Sequence, residues 1–589
     1  MTKIENIKTT FPDTFGIIDN LKKNNIRNSQ FLKLALKSYN IISQMKDQKL
    51  SVMDTLKTNE NVNIYDHQVL AALKVKNELG GNVILADEVG LGKTIEAGII
   101  IKEFIVTGLA TKVLILAPPS LLPQWQDEMA SKFGLDFVNQ QGDPRFAGSQ
   151  NHDLLVMSHS SAVFPKHMDA LMNTYWDLVI VDEAHSMKNS DTHKHKFVKN
   201  LPKRYLLLLT ATPLQNNLEE LYNLIDLLHP GYLGTWSQFK EKYMLENNAR
   251  MFNPIFKDEL QKTLSNLIIR TRRKEVQKYI SFKNRIPHTK ILTPTDNENT
   301  LYDGITDIVR NLYFDSDNTL ALMTYQKLAS SSTSASRRAL YKMKMANLIT
   351  EERYQDLVKI ADGIKIDTKL SHLLDLIGDD SSKFLIFTEF YATQDYIADA
   401  LRRNGYSVTL FNGRMSADEK IDSKQRFKQD VQIMVSTSAG GEGQNFQFCH
   451  NIVNYDLPWN PMKVEQRIGR VHRIGQQHDV RIFSYALAGT IEEYILSLLY
   501  EKIQLFEMAL GDMDLLFEDS WNAGSSQTWF KEYMDATNKE DIINRFSTLG
   551  KDWANRKKNV NDAVKSFNDD VFSNFNLSIL EEDTDEPSK

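Results

Sequence analysis

Cysteine is almost absent: Cys449 is the single one in 589 residues, so no disulfide framework can form within the chain and no cysteine-built metal site is expected. That usage suits a reducing compartment, and a cytoplasmic location is the expectation. Long apolar runs are missing as well. No stretch reaches the roughly 18 residues that a membrane-spanning helix requires, and Met1 to Asn20 mixes charges and threonines with no apolar segment or small-residue cleavage site. A soluble, unexported chain with no membrane partner is expected. Of the thirteen histidines only His193 and His195 approach a ligand spacing, so no zinc site is expected. A large net charge is also lacking. The formal value is −6, but residues 1–50 carry nine Lys/Arg against four Asp/Glu and residues 501–589 carry ten against nineteen. The centre is nearly neutral, and an acidic end can mask a basic groove, so the total excludes no anionic partner.

What is present is ordinary core-forming material, 42% hydrophobic and 25% charged residues, in a length that implies roughly three to five domains. Short apolar runs recur at Val83–Ala86, Val113–Ala117, Leu154–Met157, Leu178–Val181 and Tyr205–Leu209. Their continuous hydrophobicity reads as parallel strands buried on both faces. Amphipathic stretches such as Thr94–Gly108 and Leu122–Phe133 supply the crossover helices. A second series follows at Phe384–Thr388, Val408–Phe411, Ile433–Ser436, Ile452–Tyr455 and Val480–Ser484. The fold class is therefore α/β, with two tandem parallel-sheet lobes at 61–235 and 381–500. A helical insertion without strands is expected at 236–380. A helical N-terminal extension over 1–60 and a helical C-terminal region over 501–589, ending in the acidic EEDTDEPSK, complete the expectation.

Chemistry gathers in three strings. After the first strand comes Asp87-Glu-Val-Gly-Leu-Gly-Lys-Thr94. Gly90 and Gly92 let backbone N–H groups close around phosphates at a helix N-terminus, Lys93 reaches the β/γ-phosphates, and the Thr94 hydroxyl ligates Mg²⁺. Asp182-Glu-Ala-His185 follows the strand Leu178–Val181 and places two carboxylates at the same sheet edge. Asp182 is expected to hold Mg²⁺, and Glu183 to orient or deprotonate the attacking water. Gln466-Arg-Ile-Gly-Arg-Val-His-Arg473 lies in the second lobe, with arginines at 467, 470 and 473 expected along one side of a helix. Gln466, Arg470 and Arg473 join the expected catalytic set, the two arginines reaching the γ-phosphate across the cleft.

With those strings in place, the sequence resembles the SWI/SNF-type ATPases of helicase superfamily two. The narrower likeness rests on ADEVGLGKT at 86–94, APPSLLPQWQDE at 117–128, LTATPLQN at 209–216, STSAGGEGQNFQ at 436–447 and DLPWNPMKVEQRIGRVHRIGQ at 456–476. DEVGLGKTIEAG at 87–98 and QKLASSSTSASRRAL at 326–340 are similar to the bacterial branch, including its RNA-polymerase-associated type.

The resemblance implies that the two lobes are RecA-like and form an ATP- and Mg²⁺-dependent motor that tracks on double-stranded DNA and remodels protein–DNA complexes. RNA polymerase or DNA-defence proteins are its further implied partners. It assigns Gln68 to adenine, Thr210 to Thr212 to coupling the nucleotide to the track, and the loop Gly441–Gly443 to sensing both, with Gly441 at the nucleotide. It places DNA contacts at Ser120, Gln124 and Trp125 in the first lobe and at Thr388, Ser436 and Trp459 in the second. The two tryptophans read equally as core aromatics, and Arg270, Arg272 and Arg273 as braces of lobe closure or as salt-bridged helix. A strand-separating helicase shares every one of these motifs, and a catalytically retired nucleic-acid-binding scaffold is a third alternative.

Overall fold

The computed structural model describes residues 49–497 and 524–551, apart from 89, 147, 149–151, 211–217, 246–247, 253, 272, 281, 316–318, 379, 438–443, 460 and 550. The expected N-terminal extension and acidic end lie almost wholly outside the described residues. Residues 51–589 make one compact unit, and both sheets belong to it.

The first sheet has seven strands: β1 (Asn82–Leu85), β2 (Val113–Ala117), β3 (Val138–Asn139), β4 (Leu154–Ser158), β5 (Trp176–Val181), β6 (Lys203–Leu209) and β9 (Ile268–Ile269), in the spatial order β3-β4-β2-β5-β6-β1-β9. Every pairing is parallel. Leucine, isoleucine and valine dominate these strands because both faces are covered along most of their length. Helix α1 (Asp66–Asn77) precedes β1, α2 (Lys93–Val106) follows it, and α3 (Leu122–Phe133) follows β2. Leu122, Trp125, Met129 and Phe133 recur at helical spacing on α3 and are buried. The ring of Phe133 lies so near α2 that a Cβ at Gly98 would stand 2.2 Å from it, so the two helices pack against each other only because residue 98 is glycine.

The second sheet has six parallel strands: β10 (Arg285–Leu292), β11 (Phe384–Thr388), β12 (Val408–Phe411), β13 (Ile433–Thr437), β14 (Asn451–Asn454) and β15 (Val480–Leu487), ordered β10-β15-β14-β11-β13-β12. The two α/β lobes expected from the sequence are present. The insertion differs from expectation in containing strands. Met244–Leu245 and Asn248–Phe252 (β7 and β8) pair antiparallel, β9 extends the first sheet beside β1, and β10 is the edge of the second. Two-residue β9 is too short to stand out in a sequence, and β10 interleaves Arg, His and Lys because an edge strand is half exposed.

The remainder of the insertion is helical: α4 (Asp296–Asp315), α5 (Thr319–Ser331), α6 (Thr333–Met345) and α7 (Glu351–Asp362). Leu301, Ile305, Leu340, Met343 and Leu357 from these helices share one core with Leu385, Phe387, Met434 and Ile452 of the second sheet and with Trp529 and Phe530 of a C-terminal helix, α9 (Gly524–Asp535). Helix α8 (Pro461–Ile468) joins the same core through Val464 and Ile468. Among the described residues no helix is long and apolar enough to cross a membrane.

Candidate nucleotide site and inter-lobe contacts

β1 ends at Leu85 and the chain must turn at once into α2. Gly90 (φ 89°) and Gly92 (φ 98°) make the turn in the left-handed region, where a side chain is strained. At Gly92 a Cβ would also meet Gln68 Nε2 at 2.5 Å, so glycine keeps the loop open beside α1. Gln68 is buried on α1. Its Nε2 donates to Leu91 O at 3.0 Å, and its Oε1 accepts the Tyr65 N–H at 3.0 Å. The amide that the resemblance assigned to adenine therefore braces the loop, and each of its ends keeps one further hydrogen-bonding position. Lys93 opens α2 and donates to the Asp87 carbonyl at 2.5 Å. Burial lowers its pKa, against the charges of Asp87, Glu183, Glu96 and Asp182. Thr94 is the next residue of the helix and is half-buried.

β5 delivers Asp182 and Glu183 to the same sheet edge, and Asp182 N–H donates to Leu116 O of β2 at 2.8 Å. The Asp182 carboxylate accepts from Trp125 Nε1 at 2.9 Å and from the Glu183 N–H at 2.9 Å. Burial, then the neighbouring Glu183 charge, raises its pKa to about 6. Glu183 sits at φ 50°, a left-handed conformation that costs a non-glycine residue energy and holds its carboxylate in the cleft. Burial works to raise its pKa as well, but the His185 hydrogen bond and the charges of His185, Lys93 and Arg470 prevail and bring it to about 2. Glu183 Oε2 and His185 Nδ1 are 3.2 Å apart. Burial acts to lower the His185 pKa, and the Glu183 carboxylate overrides it, so the net shift is upward.

Arg470 thus bears on Glu183 from the other lobe. Direct bonds also join the lobes: Ile474 N–H donates to Gly90 O at 3.3 Å, and Gln444 Nε2 to Ser120 O at 2.9 Å. Ile474 packs with Leu91, Val276 and Ile280, so the phosphate loop touches the second lobe through apolar contact too. Arg473 has its pKa lowered to about 10 by burial and by Arg470, against the charge of Glu128.

The arginines do not line a helix as expected. α8 stops at Ile468, and Arg470 and Arg473 stand in the loop beyond it. Arg467, in the last turn, is buried and donates to Asn454 Oδ1 and Asp456 O at 3.0 Å each. It is a core residue of the second lobe. Gln466 is exposed.

At four of the expected DNA contacts the side chain is buried and partnered within the protein. Trp125 is buried and its indole N–H is committed to Asp182. Thr388 is buried with its hydroxyl on the Asp456 carboxylate, and buried Ser436 donates to Thr437 O at 3.1 Å. Trp459 is buried beneath Lys327 Nζ, 4.8 Å from its ring centre, and against Phe530. A neighbouring carboxylate takes up the Trp125 indole and the Thr388 hydroxyl, a backbone carbonyl takes up Ser436, and packing encloses Trp459. Ser120 and Gln124 remain partly exposed, Gln124 Nε2 donating to Glu128 at 2.7 Å. Thr210 is buried. Gly441 to Gly443, Ala211 and Thr212, and Arg272 lie outside the described residues, as does the side chain of Arg273.

Sequence reasoning passed over a buried trio under the phosphate loop. Donor atoms of His67, Asp87 and Glu96 all lie within 4.8 Å of one another. Asp87 also accepts the Thr271 N–H at 2.7 Å, next to β9. Burial and the Asp87 charge push the Glu96 pKa well up, and a proton held there relieves two adjacent carboxylates of their repulsion. The signal in the sequence was one acid in the otherwise apolar run Ile95–Ile101.

The donor set fits a nucleoside triphosphate with Mg²⁺. The glycine loop leads into the helix start at Lys93, whose backbone N–H groups and ammonium suit phosphate, and the Thr94 hydroxyl and Asp182 carboxylate are hard oxygen ligands of the kind Mg²⁺ takes.

Residues 26–355 match the SNF2-related domain, and residues 368–475 match the helicase conserved C-terminal domain. An uncharacterized ATP-dependent helicase, YqhH of Bacillus subtilis strain 168, is 41% identical over 453 residues, spanning 76% of this chain and 80% of the relative. Among solved structures, the Sulfolobus solfataricus SWI2/SNF2 ATPase core in complex with dsDNA is 22% identical, covering 83% of this chain and 97% of that one, with a TM-score of 0.37. The Pyrococcus furiosus Hef helicase domain is 17% identical over 76% of this chain and 98% of that one, with a TM-score of 0.47.

Proposed function

Since the chain belongs to the SNF2-related helicase family and is an ATPase of that kind, we propose that it translocates on double-stranded DNA without parting the strands and so remodels protein–DNA complexes. The observation that carries the reading is the cleft itself. One wall holds Lys93, Asp182 and Glu183, and the other brings Arg470 within electrostatic reach of Glu183. At the rim Gln444 of the second lobe donates to the Ser120 carbonyl of the first. Hydrolysis and grip on a track then depend on the same closure, which is what a stepping motor needs.

In this reading the loop around Gly90 and Gly92 cradles the phosphates, and Gln68 presents its remaining amide positions to adenine. Lys93 holds the β/γ-phosphates. Thr94 and Asp182 are the residues that would hold Mg²⁺, which when bound neutralises charge on the phosphates. Glu183, ionised and fixed by its backbone, orients the attacking water. Arg470, and Arg473 beside it, meet the γ-phosphate on closure. Ser120 and Gln124 keep the exposure that a phosphate contact requires, and such contacts follow one strand without reading sequence. The family match and the string Asp456–Gln476 support duplex DNA as the track. RNA polymerase and DNA-defence proteins, implied only by the bacterial likeness, gain no support from the relatives.

The test compares ATPase rates with duplex DNA, single strands and RNA, together with third-strand displacement from a triplex. Strong stimulation by duplex and displacement without fork opening are expected. Efficient fork unwinding, or stimulation by RNA above duplex, would transfer the assignment to a strand-separating helicase.

A further inference from the structure

The chain passes from the first lobe to the second through residues 276–285, and both catalytic loops rest on that crossing. At its start Val276 and Ile280 pack with Leu91 of the phosphate loop and Ile474 of the arginine loop, with Phe282 against the same cluster. At its end Arg285 enters β10 and turns its guanidinium toward α8. Nη1 donates to both carboxylate oxygens of Glu465, at 2.9 Å each, and Nε donates to His472 Nδ1 at 3.1 Å. His472 Nε2 is 2.7 Å from the Lys283 carbonyl.

The chemistry of these groups fixes the protons. A guanidinium has no acceptor, so His472 Nδ1 must offer its lone pair. The Lys283 carbonyl has no proton to give, so Nε2 carries the hydrogen and donates it. His472 is therefore the neutral tautomer protonated on Nε2, held at both ring nitrogens by the crossing segment. Glu465 precedes Gln466, and His472 lies between Arg470 and Arg473. Glu465 is 2% exposed and Arg285 only partly exposed, so the ion pair is shielded from water and its geometry is tightly set.

Within the second lobe the same loop is tied by Phe446 N–H to Arg470 O at 2.9 Å and by Gln476 to the carbonyls of Gln447, Cys449 and Val471. Those bonds fix it to its own lobe. Arg285, Lys283 and the Ile474 contacts tie it to the crossing.

We propose that Arg285 is a positioning residue for hydrolysis: through Glu465 and His472 it sets the Arg470–Arg473 loop against the phosphate loop and makes that loop move with the inter-lobe crossing. This rests on the reading of Arg470 as the residue that meets the γ-phosphate. A misplacement of about 1 Å in such a group is enough to cost on the order of 100-fold in rate.

The experiment uses the full chain carrying Arg285→Ala, Arg285→Lys, His472→Ala, Arg470→Ala and the double variant Arg285→Ala/Arg470→Ala. It reads duplex-stimulated kcat, KM for ATP, duplex affinity and thermal unfolding. Arg285→Ala is expected to lower kcat by about 10- to 100-fold with KM and duplex affinity within about threefold. Arg285→Lys should recover little, because an ammonium cannot bond both Glu465 oxygens and His472 together. In the double variant Arg285→Ala should add no loss to that of Arg470→Ala, since two residues acting as one unit are not additive. His472→Ala, which keeps the ion pair, should show a smaller kcat loss and supplies the reading if Arg285→Ala does not fold. Unchanged kcat in both Arg285→Ala and His472→Ala, or losses that multiply in the double variant, would overturn the positioning role of Arg285. A normal kcat in Arg470→Ala would instead overturn the arginine assignment on which it rests.

Discussion

Trp125 shows how a residue's neighbours decide its duty. Its indole N–H holds one oxygen of Asp182, so Trp125→Phe keeps the packing and removes only that bond. The expected result is an ATPase rate about 10-fold lower with a raised Mg²⁺ requirement, since a hydrogen bond that orients a metal-holding carboxylate commonly has an effect of that size. An unchanged Mg²⁺ titration would show the bond to be incidental. His159 gives a second residue-scale prediction. Burial, then the Lys194 charge, lowers its pKa to about 4, against hydrogen bonding at the Asp182 and Leu116 backbone. A histidine held below its ordinary value near 6.5 contributes stability that is complete above that pH and is lost as pH falls toward 4. The loss should be on the order of 3 kcal/mol across that window. Denaturant midpoints from pH 7 to pH 4.5 should fall less steeply in His159→Gln than in the parent, and parallel slopes would refute the assignment. Lys93, Asp182 and Glu183 were legible because each follows a strand at a fixed offset. The duties of Trp125, Gln68 and Arg285 were not, since their partners lie tens to hundreds of residues away in the chain.

At the scale of elements, the strands were readable because burial on both faces leaves an unbroken apolar run, and ten such runs in the sequence coincide with ten strands of the two sheets within a few residues at each end. β3, β9 and β10 escaped that logic, the first two by their shortness and the third by its exposed edge. The contact of α2 with α3 carries its own prediction. Gly98→Ala drives a methyl group into the Phe133 ring, and overpacking of this kind should destabilise the chain by roughly 1–3 kcal/mol, read as a lower denaturant midpoint at constant slope. No change in midpoint would mean that α3 yields without cost. The arginine loop is the element that periodicity misread. Three-residue spacing suggests one helix face, but α8 ends at Ile468, Arg467 turns into the core, and Arg470 and Arg473 are released toward the cleft.

For the whole molecule, net charge is a poor guide, since a motor that grips phosphates needs only a local excess of cation. Duplex affinity should fall steeply with salt, by about 10³ between 50 and 200 mM if some six phosphates are neutralised, because released counterions drive the binding. A flat salt dependence would argue against a phosphate-gripping track and for another partner. By itself the sequence determined the α/β class, the two lobes, their order, and the three strings that meet at the nucleotide, since each depends on neighbours within about ten residues. The tertiary structure decided which polar side chains are spent on the protein itself. Thr388, Ser436, Trp125 and Trp459 were candidates for the track until burial gave them partners inside the lobes. It also decided that the charge of Arg470 reaches Glu183 and that Arg285 clasps Glu465 and His472. These contacts join residues about 180 to 290 positions apart, within the second lobe for Arg285 and across the lobes for Arg470, and no local pattern encodes a pairing that arises only when distant segments of the chain fold together.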